Sequence, residues 1–161
     1  MCTSLYFSTV LLGVQNETAP AEAFTVYSFA QDINDEDVTL TYNGSIVNTG
    51  SNMLVDLGIY VCPADGVYAF QSTIASDSLR SARLGLIRVG LDYAEVFFNE
   101  VVAEYNGIVQ AGITVAFECL KEERVQLRTI FSNSFEIYGT NTTRLNTYTG
   151  FRVCKFIRKM S

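Results

Sequence analysis

The chain of 161 residues contains no histidine and no tryptophan, and it has only two prolines. Lacking histidine, it is without the usual general base, the commonest metal ligand and the side chain that titrates near neutrality. No lysine or arginine precedes Arg80, and the net charge is −6. Nucleic acids and anionic membranes select basic patches, so neither is an expected partner. No apolar run approaches the roughly 18 residues that span a bilayer. No Gly-rich phosphate loop and no Gly-x-Ser-x-Gly elbow is present, so no nucleophile has the apparatus to activate it. The paired acids Asp92/Glu95 and Glu122/Glu123 fall on predicted turns and read as solvated charge. The chain is therefore read as non-enzymatic, with no cofactor.

What is abundant is apolar and aromatic. Hydrophobic residues make up 48 % of the chain, with eleven Phe and nine Tyr. A domain of this length buries roughly two-thirds of its unfolded surface without staples. The apolar surplus is read as subunit contact surface, because large exposed apolar patches mark interfaces. Eight of the eleven basic residues follow Leu120. Either the acidic first half pairs with the basic second half inside one fold, or an acidic surface on one subunit meets a basic one (Lys155, Arg158, Lys159) on another.

Turn signals recur at short intervals between alternating segments, as in a sandwich, and no segment has a 3.6-residue period. Strands are predicted at Ala23–Phe29, Val38–Tyr42, Ile59–Cys62, Val67–Ala75, Ala82–Val89, Ala94–Glu104, Ile108–Leu120, Val125–Phe131 and Leu145–Ile157, with Phe135–Tyr138 a continuation or a bulge. Asn43-Gly44 reads as a tight turn. The fold class is all-β, with about ten strands.

Residues 1–22 stand apart. Leu5–Val14 has the length of a secretory apolar core, and Ala21-Glu22-Ala23 resembles a cleavage site, yet no basic residue precedes it. The segment is read as an N-terminal arm or as a residual signal or propeptide, followed by a globular domain at 23–157 and a tail at 158–161. Cys2 at its tip is a candidate for an interchain disulfide. The four cysteines, Cys2, Cys62, Cys119 and Cys154, lack zinc-knuckle spacing. Three sequons, at Asn16, Asn43 and Asn141, are glycosylation candidates. Together these features favour an oxidising, secreted location.

An ordered set of motifs carries a family resemblance. Ala23-Phe24-Thr25-Val26 opens it, and Val47-Asn48-Thr49-Gly50 forms a turn. Tyr60 to Phe70 follows, with Cys62, Gly66, Tyr68 and Phe70 in a Cys-x-x-x-Gly-x-Tyr-x-Phe pattern. Gly112, Leu120, Val125 and Leu127 come next, and Tyr148-Thr149-Gly150-Phe151 closes the set. In this order the motifs resemble the globular head of complement C1q across about residues 23–156. The chain shows no Gly-X-Y stalk, a short loop at Asp77–Ser81 and a final strand, Arg152–Phe156, more polar than the family's.

The resemblance implies a two-sheet antiparallel jelly roll of the C1q/TNF-like type, assembling as a homotrimer and into higher assemblies if the arm links trimers. Phe24, Tyr68, Phe70, Tyr148 and Phe151 become core or interface residues. Cys62, Cys119 and Cys154 become neighbours: either one pair bridges, Cys62–Cys119 being favoured, or all three are buried free thiols. The implied work is lectin-like innate recognition of carbohydrate or microbial surface polymers. Loop residues Tyr93, Asn99, Tyr105, Asn106 and Tyr138 are its ligand-binding candidates. Some members bind calcium, for which Asp77, Asp92 and Glu95 are candidates beside the plain reading as solvated loop acids. The alternative function is a self-assembling extracellular structural protein whose trimers join through the arm.

Overall fold

The computed structural model describes residues 22–76, 82–90, 95–103, 109–132, 135–140 and 142–155. Twelve strands run in chain order: β1 (Ala23–Ser28), β2 (Gln31–Ile33), β3 (Gly44–Asn48), β4 (Met53–Leu54), β5 (Ile59–Val61), β6 (Gly66–Ser76), β7 (Ala82–Val89), β8 (Glu95–Ala103), β9 (Val109–Cys119), β10 (Arg124–Ser132), β11 (Phe135–Ile137) and β12 (Asn146–Lys155). Every ladder between them is antiparallel. One sheet holds seven strands in the path β2-β11-β6-β12-β1-β3, with β9 on β6, and the other runs β4-β5-β10-β7-β8.

The twelve segments fill ten lanes. Thr73 pairs with Thr147 of β12 on one edge and Gly112 of β9 on the other. Ser76 likewise pairs with Ile137 of β11 and with Val109 of β9. Strands β11 and β12 thus share the same edge of β6, with β2 and β1 beside them. The first sheet has five lanes, the second has five, and the all-β jelly-roll expectation holds.

Alternation builds the core. Phe24, Val26 and Ser28 of β1 face inward while Ala23, Thr25 and Tyr27 do not. On β12, Asn146, Tyr148 and Gly150 face inward. A strand points successive side chains to opposite faces, so this pattern fixes the register. The interior is an aromatic stack: Phe24 lies 4.7 Å from Tyr60 and 4.9 Å from Tyr148, and Phe70 lies 5.0 Å from Phe117. Such pairs add roughly 0.5–1.5 kcal/mol each beyond their area. Val125, Leu127, Leu84 and Leu86 close the stack from the second sheet. Gly150 sits between Phe24 and Phe70, where a Cβ would collide with both rings.

Two expectations are corrected. Val38–Tyr42 is not a strand, since only Thr39 makes a bridge, to Arg128. Its alternation comes from dropping Leu40 and Tyr42 into the core while the backbone bonds first to β10, Leu40 N to Leu127 O, and then to a turn, Tyr42 N to Val55 O. Asn43-Gly44 is not a two-residue hairpin turn either. Gly44 belongs to β3, pairs with Tyr27, and lacks the positive φ such a turn needs.

Early acids meet late bases within this one fold. Arg152 Nη2 lies 3.0 Å from Glu22 Oε1, and Arg128 Nε lies 3.0 Å from Asp37 Oδ1. Among the described residues no helix is long and apolar enough to cross a membrane.

Candidate functional site

The outer face of the first sheet is built by the residues that alternation leaves outside. Registers across β1, β12, β6 and β9 line them up in rows. Ala23, Phe151, Ala69 and Ala116 form one row. Thr25, Thr149, Gln71 and Thr114 form the next, and Tyr27, Thr147, Thr73 and Gly112 a third. Apart from Phe151, Gln71 and Tyr27, the side chains of these rows are small or threonine. Thr25 and Thr149 join hydroxyls across the ladder at 3.1 Å. From the apolar row Phe151 projects, 47 % exposed, and Val153 beyond it is 54 % exposed. A register shift between Arg152 and Cys154 separates the two.

Of the five aromatic and interface candidates, Phe24, Tyr68, Phe70 and Tyr148 are core, each at most 1 % exposed. Phe151 is not core: its position on β12 has the opposite parity, and it stands on the outer face.

That face is anchored at one end by a polar cluster absent from the sequence reading. Arg152 N donates to Glu22 O (3.0 Å), and the Tyr68 hydroxyl lies 3.1 Å from Glu22 Oε2 and 2.8 Å from Ala64 O. Burial first, and then the Glu22 carboxylate, pushes the Tyr68 phenol well above its usual range. Glu22 was assigned to the arm and Arg152 read only as making the last strand polar. The available signal was parity: Arg152 occupies an inward position of an alternating strand.

At this end of the sandwich Cys62 and Cys119, the pair that the resemblance favours, form a disulfide, and both are 0 % exposed. Cys154 is disulfide-bonded as well, and Cys2 lies outside the described residues. Among the described residues no cysteine is free. The β9–β10 turn is bound to the bridge: Cys62 N donates to Glu123 O (2.8 Å) and Glu122 N to Cys62 O (2.7 Å). Glu123 departs from its reading as a solvated charge. It is 6 % exposed, because its carboxylate accepts the Leu120 N–H at 2.8 Å and faces Arg88 at 3.7 Å.

The ligand candidates are divided. Tyr138 follows β11 in the first sheet, half-buried, its N–H donating to Ala75 O (2.8 Å) and its carbonyl accepting from Asn146 Nδ2 (2.9 Å). Asn99 lies on β8 opposite Leu86 in the second sheet. Tyr93, Tyr105 and Asn106 lie outside the described residues. Glu95 begins β8 opposite Val89, while Asp77 and Asp92 lie outside. Among the described residues no group of three or more acids and cysteines is placed to hold a metal. Asn43 is exposed, its Oδ1 accepting from Phe29 N (2.7 Å), and Asn16 and Asn141 lie outside the described residues.

Comparison with known proteins places this architecture. The solved globular domain of zebrafish complement 1qA is similar, with 14 % identity, a TM-score of 0.63, and 84 % of this chain and 99 % of that chain covered. Eiger TNF from S. frugiperda gives 10 % identity, a TM-score of 0.71, and coverage of 88 % and 98 %. Murine APRIL gives 9 % identity, a TM-score of 0.65, and coverage of 83 % and 99 %. No curated protein matches the chain. The family model described as the C1q domain matches residues 23–153. With most of its length matched in this way, the chain belongs to the C1q domain family.

Proposed function

We propose that this protein is a secreted, non-enzymatic recognition module that works as a homotrimer and binds carbohydrate or microbial surface polymers, in a lectin-like innate role. The observation that carries the assembly is the apolar row Ala23–Phe151–Ala69–Ala116, with an exposed aromatic on a soluble sheet face. An exposed Phe in a row without charged residues fits an interface core, where aromatics are enriched and charges depleted. A trimer presents three copies of each loop, so weak sugar contacts gain by avidity. Tyr93, Tyr105 and Tyr138 supply stacking surfaces in this reading, and Asn99 and Asn106 supply amide hydrogen bonds. Asp77, Asp92 and Glu95 supply the oxygen ligands if calcium takes part. The test is a multivalent glycan array, with and without calcium chelation, beside sedimentation of the unlabelled protein. Binding by a trimer supports the proposal, and a blank array defeats it.

A second reading is a structural protein whose trimers are linked by residues 1–22. It is favoured by β3, which closes its sheet with no further strand on its outer side among the described residues and exposes Ile46 (55 %) and Val47 (40 %). Strand addition uses such an edge. Deleting residues 1–21, which keeps Glu22, separates the readings. Unchanged assembly rejects the linked form.

A further inference from the structure

The buried hydroxyls of Ser28, Tyr42, Tyr60 and Tyr148 and the Nη1 of Arg152 have no hydrogen-bond partner among the described residues. The three tyrosines and Arg152 belong together. The tyrosines are 5 %, 1 % and 0 % exposed, and the Arg152 side chain is 9 % exposed. Leaving a buried donor or acceptor unpaired costs more than an ordinary hydrogen bond gains, and native interiors leave few. Here four occur in one neighbourhood.

They are strung in order through the aromatic stack. Tyr42 stacks on Tyr148 at 5.9 Å, and Phe24 touches both Tyr148 (4.9 Å) and Tyr60 (4.7 Å). Tyr60 meets Tyr68 at 6.0 Å, and Tyr68 leads to Glu22 and its partner Arg152. The electrostatics agree. Burial raises the Tyr60 phenol, with further effects from Tyr68, Glu22 and Arg152. Burial likewise raises the Tyr148 phenol, followed by Tyr42 and Tyr60. The ring contacts place these phenols in one continuous part of the core.

We propose that internal water molecules bridge Arg152 Nη1 to the hydroxyls of Tyr60, Tyr148 and Tyr42, forming a polar thread from the Glu22–Arg152 pair into the core. Apolar cavities stay dry, but water occupies interior sites that offer it two to four polar partners. A guanidinium only donates, so the first water accepts from Arg152 and turns its hydrogens toward a phenolic oxygen. Each phenol both accepts and donates, which lets the thread continue.

The sign of a mutational effect tests this. Tyr60→Phe and Tyr148→Phe keep the ring packing and remove one hydroxyl each. With bridging water, each substitution lowers the thermal midpoint of unfolding by about 2–4 °C. With hydroxyls that are simply unpaired, removal relieves a penalty, so an unchanged or raised midpoint overturns the proposal. A high-resolution crystal structure of the unaltered protein gives an independent readout. Ordered solvent within hydrogen-bond distance of both Arg152 Nη1 and the Tyr60 hydroxyl supports the thread, and its absence there overturns it.

Discussion

Cys62 and Cys119 join the two sheets: Cys62 follows β5 of the five-stranded sheet, Cys119 ends β9 of the other, and their sulfurs are bonded. The sequence separation is 57 residues, so chain entropy predicts a contribution of about 4 kcal/mol. The Cys62→Ala/Cys119→Ala double variant is expected to melt roughly 10 °C lower. Both cysteines are fully buried, so reductant and an alkylating reagent should label neither while the protein is folded. Scanning calorimetry and mass spectrometry check the two claims, and a variant melting with its parent would contradict the first.

Phe151→Glu places a carboxylate on the apolar row of the outer face. Because Phe151 is 47 % exposed in the single chain, its replacement should change subunit stability by no more than about 0.5 kcal/mol. Sedimentation velocity should then show single subunits with an unaltered circular dichroism spectrum. Variant trimers at the parent's dilution would remove Phe151 from the interface.

Gly150→Ala addresses the opposite face of the same strand. An added Cβ meets Phe24 and Phe70, two rings held in a packed stack. Overpacking of this kind costs about 1–3 kcal/mol. Urea unfolding should show the midpoint fall with little change in slope.

Alkali should reveal the buried phenols. Burial raises the pKa of Tyr42, Tyr60, Tyr68 and Tyr148 above the ordinary value of 10.0. Each prefers its neutral form in the fold, so the stability tied to it is complete below pH 10 and declines as the pH climbs toward the raised folded value. Phenolate absorbance should therefore show Tyr42, Tyr60, Tyr68 and Tyr148 ionising at higher pH than a free tyrosine. Smooth titration of all nine tyrosines near pH 10 in the folded protein would contradict this.

The local side of the fold was legible and the long-range side was not. Ala82–Val89 is read from the sequence with the same bounds as β7, because its neighbours include clear turn residues. Alternation along Ala23–Phe29 puts Phe24, Val26 and Ser28 on one face, and that face is the buried one. The same signal misled at Val38–Tyr42, since a segment can alternate in burial without forming a ladder, and only the partner strand tells the two apart. Phe151 shows the same limit. Its motif marks it as important, but only the β12 register separates it from Phe24 and Tyr148. The ligand candidates came from the resemblance, and pattern carries no information on which of them share an end of the sandwich. Tyr138 and Asn99 prove to lie in different sheets.

The pairing of β1 with β12, Ala23 opposite Phe151, also constrains synthesis. Strand β1 cannot take its neighbour until β12 has left the ribosome, and the rows of the outer face are complete only then. Folding dominated by such distant contacts is slow, on the scale of milliseconds to seconds. Throughout that interval the aromatic faces of β1 and β6 lack their covering strands, and exposed apolar surface of this kind favours contacts between nascent chains.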